Sequence, residues 1–175
     1  MNDESSDGGT AADAAGDARG DRKFLVVVDD TPECRVAARY AARRAGRTGG
    51  SLVLLRVIET RSEMSHWIAV EERMREEALL EAGHLLHSLA SEINTWADLV
   101  PAVAIREGKL QDEVLAQIEE DSGISILVLA AANSPEGPGP LVSALAGKLV
   151  GSMKIPVTVV PGNLDNLRID ALTSN

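Results

Sequence analysis

The stretch "KFLVVVDDTPECRVAARYAARRAG" (23–46) decides the fold. Its first seven residues, 23–29, are a nearly continuous run of Val, Leu and Phe, the pattern of a strand buried on both faces. Thr31 then suits a helix N-cap, and Pro32 suits the first helical position. The helix so predicted runs to about Arg47 and stops before Gly49 and Gly50. Cys34, Ala38, Ala41 and Ala45 share one of its faces, and side chains that small let the helix lie close on a sheet.

The same alternation continues outward. "SLVLLRVIE" (51–59) predicts a second buried strand. A helix follows from about Ser65 to Asn94, with Trp67, Val70, Met74, Ala78, Leu85, Leu89 and Ile93 as its apolar stripe. "LVPAVAIRE" (99–107) reads as the third strand and "GKLQDEVLAQIEEDS" (108–122) as a helix with Leu110, Val114, Leu115 and Ile118 inward. "GISILVLAA" (123–131) is the fourth strand, about 140–152 a short helix, and "IPVTVVP" (155–161) the fifth strand. Residues 162–175 form a C-terminal extension with one helical turn. The order βαβαβαβαβ with short connections specifies an α/β fold: a single doubly wound, Rossmann-like, five-stranded parallel sheet with helices on both faces and right-handed crossovers. Ligands of such folds bind beyond the carboxyl ends of the strands, at the topological switch point. That directs attention to Asp29–Thr31, Val57–Glu59 and Ala130–Ser143.

Composition narrows the function classes. A chain of 175 residues suits one domain with a proper core. Aromatics are only 2%, so Ala, Val, Leu and Ile must build that core. The net charge of −10 argues against a non-specific nucleic-acid binder, whose affinity comes from Lys and Arg on phosphates. Cys34 is the only cysteine, which excludes an internal disulfide and a Cys-based zinc site. No apolar run approaches the roughly 18 residues of a membrane span, and the N-terminus lacks a basic-then-apolar signal pattern. The expected address is the cytoplasm, with no membrane and no nucleic-acid partner. Residues 1–22 carry six acids, two arginines and no large aliphatic after Met1, the composition of a disordered acidic tail.

Two families open with paired acids after a first strand. In phosphorylation receivers those acids hold Mg²⁺ beside an Asp on the third strand. Here the third strand ends in "IREG" without an Asp and the fifth in "VVPG" without a Lys, so the receiver reading is set aside. The segments "FLVVVDDTPECRVAARYAARRA", "LVLLRVIE", "REGKLQDEVLAQIEEDSGISILVLA" and "IPVTVVPG", in this order and spacing, resemble the universal stress protein family over residues 23–161. The resemblance implies an adenine nucleotide alpha hydrolase-like sheet, a cytoplasmic homodimer paired through the last strand (here Val157 and Val159), and ATP binding in some members.

The nucleotide-binding branch carries Gly-x2-Gly-x9-Gly-Ser/Thr after the fourth strand. Counting forward from "ISILVL" places the first two glycines at Ala130 and Asn133. Counting back from Pro156 places the third at Ser143, followed by Ala144. The two counts agree without a gap, so the register is intact and the glycines are replaced. Such glycines let backbone approach phosphates and adopt positive φ. Ala130 adds a methyl, Asn133 tolerates a left-handed conformation, Ser143 crowds the approach to the helix, and Ala144 removes a hydroxyl. "SPEGPGP" (134–140) adds three prolines without N–H donors and the acid Glu136. Gly137 and Gly139 fall inside the nine-residue spacer and read as turn residues. Asp29 matches the family's acidic position near the adenosine and Val57 an apolar position against the base, and Thr31 joins them as a candidate nucleotide-binding residue. The expectation is an interaction protein of the stress response that neither binds ATP nor catalyses a reaction, with a homodimer and an unidentified protein as partners. The alternative is an adenine-nucleotide sensor or weak ATPase, with ATP or AMP as ligand.

Other features have plainer readings. His84 and His87 are three apart on a helix, but no further metal ligands accompany them. Arg35, Arg39, Arg43 and Arg47 make a basic stripe that suits a solvated face, an acidic partner or the chain's own acidic tail. Glu71 with Arg75 and Arg73 with Glu77 are opposite charges at helical spacing. Cys34, on the alanine face, suits a buried thiol. No nucleophile–base–orienter set is recognisable in the sequence.

Overall fold

Strand β1 (Lys23–Val27) sends alternate side chains to two separate cores. Phe24 and Val26 enter one with Leu52, Leu54 and Val128; Leu25 enters the other with Leu55, Leu127 and Leu129. This two-sided burial is why the sequence lacks polar alternation there. The computed structural model describes residues 22–59, 68–144 and 150–174. The expected acidic tail, apart from Arg22, and Trp67 of the expected helical stripe lie outside those residues.

The remaining elements are α1 (Pro32–Thr48), β2 (Ser51–Ile58), α2 (Ile68–Ala97), β3 (Ala102–Glu107), α3 (Leu110–Glu120), β4 (Ile124–Ala131), α4 (Pro140–Ala144), β5 (Val157–Pro161) and α5 (Asn166–Thr173). The five strands form one sheet in the order β3-β2-β1-β4-β5, every neighbouring pair parallel. The chain builds outward from β1 to β3, then returns to place β4 on the other side of β1. The switch point therefore lies between the carboxyl ends of β1 and β4.

Helix α1 matches the sequence reading. Thr31 caps it, its side chain accepting the Cys34 N–H at 3.3 Å, and Gly49 closes it in a left-handed conformation at φ 67°. Ala37, Ala38, Ala41, Ala42 and Ala45 are all fully buried, so the helix sits close on the sheet. Helix α2 departs from the expected stripe. Leu89 and Ile93 are buried, but Val70 and Met74 are 50% and 64% exposed. Its 30 residues span about 45 Å, whereas the eight residues of β2 span about 26 Å, so its first turns overhang the sheet.

The C-terminal extension holds more than one turn. Helix α5 is eight residues long, is capped by Asp165 on the Arg168 N–H at 2.7 Å, and packs on α1 with Ile169 fully buried. The basic stripe of α1 is accordingly not free in solvent. Arg39 and Arg43 both bind Asp170 of α5, at 2.9 and 3.1 Å, and Arg35 binds Glu92 at 2.8 Å. Arg39 also lies 5.5 Å from the Trp96 ring centre, a cation–π distance.

Candidate functional site

A cleft of about 440 Å³ opens at the switch point. Its floor comes from the ends of three central strands: Val27 and Val28 of the β1 end, Val57 and Ile58 of β2, Leu129 and Ala130 of β4. The α2 overhang contributes Ala78, Glu81, Ala82 and Leu85 as one wall, and the start of α4 contributes Pro140, Leu141 and Val142 as another. The apolar floor and the polar rim are the ordinary composition of a small-molecule site.

Of the residues singled out in the sequence, Asp29, Thr31, Val57 and Ala130 meet in this cleft. Asn133, Ser143 and Ala144 do not line it; Asn133 and Ser143 are exposed. Ser143 stands inside α4, its N–H bonded to the Gly139 carbonyl at 3.0 Å. Asp29 Oδ1 accepts the Thr31 N–H at 3.0 Å and the Thr31 hydroxyl at 2.5 Å, which fixes the entry to α1.

The loop from Ala132 to Gly139 closes on itself. The Ala132 N–H donates to the Pro138 carbonyl at 3.2 Å, and the Gly137 N–H to the Ser134 carbonyl at 3.1 Å. The Glu136 N–H donates to Ser134 Oγ at 3.2 Å. Pro138 and Pro140 have no N–H to give. Gly137 and Gly139 adopt φ of 111° and 100°, and a Cβ on either would meet nothing within 4 Å. Their positive φ values are those of turn residues.

Electrostatics sharpen the picture. Among the described residues, Asp29, Asp30, Glu33, Glu59 and Glu81 line the cleft, against one cation, Arg56. That guanidinium is already engaged, donating to Asp30 at 3.0 Å and to the Val28 carbonyl at 3.2 Å. Glu59 accepts the Leu110 N–H at 3.4 Å, so the first free donor of α3 faces a carboxylate. Glu59 ends the stretch Val57–Glu59 that the sequence pointed to, whereas the sequence reading missed Arg56 and Glu81 as cleft residues. Arg56 had a signal, being the one charge in the buried run "SLVLLRVI". Glu81 had none, because only the overhang of α2 brings it over the cleft.

Cys34 lies beneath the cleft, 1% exposed, with its thiol 3.9 Å from the Val27 carbonyl. Burial pushes that thiol up to about 11. His87 Nδ1 lies 2.7 Å from the Gly83 carbonyl, and His84 and His87 are both exposed. Among the described residues, no group of three His, Cys, Asp or Glu side chains is placed to hold a metal ion. No helix among them is long and apolar enough to cross a membrane.

Comparison with known proteins adds the family. No curated protein matches the chain significantly. The universal stress protein UspA of Lactobacillus plantarum is 19% identical, with a TM-score of 0.69 over 79% of this chain and 97% of that one. A universal stress protein family protein of Arabidopsis thaliana with AMP bound has 18% identity and a TM-score of 0.57, over 82% and 94% of the two chains. The Archaeoglobus fulgidus universal stress protein in complex with dAMP has 17% identity and a TM-score of 0.51, over 79% and 96%. These likenesses establish the shared α/β fold. Residues 21–161 match the family's sequence pattern, and the chain belongs to the universal stress protein family.

Proposed function

We propose that this chain is a non-catalytic, cytoplasmic member of the stress-response family that works as a homodimer through protein contacts and does not bind ATP. The charge of the cleft carries this reading. Among the described residues, a triphosphate would meet five carboxylates and one guanidinium that is already paired. Like charges at close range raise the cost of binding, and an acidic rim selects against anions. Three backbone donors of the loop, those of Ala132, Glu136 and Gly137, are spent within the loop.

Strand β5 supports the dimer. It is an edge strand of the sheet, and Val159 on it is 42% exposed. An uncovered apolar edge is an aggregation hazard that a second copy removes. Val157 is half-buried on the same face and would join the contact.

The cleft volume favours a second reading. About 440 Å³ falls in the range of small-molecule sites, and two of the neighbouring structures hold AMP or dAMP. An adenosine compound with one phosphate would use Val57 and Asp29 and place less charge among the acids. Freshly purified protein, denatured and examined by liquid chromatography with mass spectrometry, decides between them. The proposal expects no stoichiometric nucleotide; AMP at one per chain establishes the second reading. Sedimentation of the Val159→Lys variant tests the dimer, with a monomer expected and an unchanged dimer contradicting pairing through β5.

A further inference from the structure

Toward its C-terminal end α1 carries more guanidiniums than the carboxylates they meet among the described residues. Arg39, Arg43 and Arg47 stand one turn apart. Among the described residues, Asp170 is the only carboxylate they meet, bound by Arg39 and Arg43. Arg47 donates instead to the Ser174 carbonyl. Among the described residues, three guanidiniums thus meet one carboxylate, in a chain whose net charge is −10. Arg43 and Arg47, with Gly46, Ala97 and Thr173, line a recess of about 390 Å³ between the ends of α1, α2 and α5.

The chain enters β1 beside this recess. The Arg22 carbonyl accepts the Ser51 N–H at 2.9 Å, and the Gly50 N–H donates to the Ala45 carbonyl at 2.9 Å. Arg22 thus lies next to the turn that ends α1. Immediately upstream, residues 1–21 hold Asp3, Glu4, Asp7, Asp13, Asp17 and Asp21 against a single base, Arg19. Five extended residues span at most about 17 Å, which brings Asp17 and Asp21 within reach of Arg43 and Arg47.

We propose that the acidic segment 1–21 docks on its own chain at this arginine-lined recess, with Asp17 and Asp21 on Arg47 and Arg43. Exposed ion pairs contribute little singly. Tethering changes that, because a short linker presents the second group at an effective concentration on the order of millimolar. Docking would cover these cations and close the recess to other anions. This inference is independent of whether the switch-point cleft takes a nucleotide.

Backbone amide spectra of the full-length protein test it. The variants are Arg47→Glu, at an exposed position, and the triple change Asp13→Asn, Asp17→Asn and Asp21→Asn. Docking predicts that neutralising the segment shifts the Gly46, Ala97 and Ser174 amides, while Arg47→Glu shifts amides of residues 13–21. Both differences should disappear at 1 M salt, where the Debye length is about 3 Å. Unchanged amides along β1, β2 and β4 certify that the variants fold. Recess amides that ignore the triple change overturn the proposal. Shifts that appear only on adding poly-aspartate also overturn it, because the recess would then serve an acidic partner. Shifts that grow with protein concentration overturn it as well, since they would place the segment on a second copy.

Discussion

Replacing Ile169 with alanine tests whether α5 belongs to the folded unit, although it lies beyond the stretch that matches the family. Ile169 is fully shielded from solvent. The change removes three carbons beyond Cβ, about 2.4 kcal/mol at about 0.8 kcal/mol per buried CH₂. The cavity left between α5 and α1 raises the expected loss to about 3–4 kcal/mol. Leu167, on the same helix, is 82% exposed, and Leu167→Ala should cost less than about 0.5 kcal/mol. Urea denaturation at one fixed protein concentration measures both, since the apparent stability of a dimer depends on concentration. The midpoint should fall for Ile169→Ala with an unchanged slope. Melting should drop by about 6–16 °C, at about 2–4 °C per kcal/mol for a chain of this size. Equal, small losses for the two variants would refute the packing of α5 and the ion pairs built on it.

Three further outcomes follow from particular contacts. Thr31→Ala removes the cap on α1 and a hydrogen bond to Asp29, and should cost about 1–2 kcal/mol in the same denaturation assay. A loss near zero would mean the cap is not formed. Cys34, with its thiol pushed up to about 11, should react with a disulfide reagent at pH 8 at least about 100-fold more slowly than in the unfolded chain, because only about one thiol in a thousand is ionised. Asp170, Glu107 and Glu120 are held below the ordinary carboxylate range by Arg39, Arg75 and Arg106 respectively. A carboxylate whose folded pKa is lowered stabilises fully above its unfolded pKa and loses that contribution as pH falls through the folded value. Melting temperature should therefore decline progressively below about pH 4, and a value unchanged down to about pH 2.5 would contradict these pairs.

The sheet was legible because its central strands are largely buried on both faces, so 23–27, 51–58 and 124–131 stand out as apolar runs, while 157–161 is an apolar run at the sheet edge. The start of α1 was legible for a local reason: Thr31, Pro32 and Gly49 each have a backbone preference that acts without tertiary context. Length was the harder quantity. A helical period predicts which face of α2 is apolar, but not that the first turns overhang the sheet and leave Met74 in solvent. Helix α5 was legible only as a single turn because it has a buried Ile169 but no repeating apolar stripe, and its docking depends on Asp170 finding two arginines some 130 positions away. At the cleft, the counted glycine register placed Ala130 in the lining but Asn133 and Ser143 outside it. Motif spacing fixes positions along the chain, whereas the acidic lining of Glu33, Glu59 and Glu81 is assembled by three separate elements.

The central claim is that this cleft rejects a triphosphate, and melting of the purified protein with and without 1 mM Mg-ATP tests it most directly. A ligand present at 100 times its dissociation constant stabilises by about 2.7 kcal/mol, which in a chain of this size raises the melting temperature by about 5–11 °C. The account predicts no rise at 1 mM ATP. A rise of several degrees that saturates with ATP would contradict it, and would mean that the cleft holds three phosphates in spite of its five carboxylates.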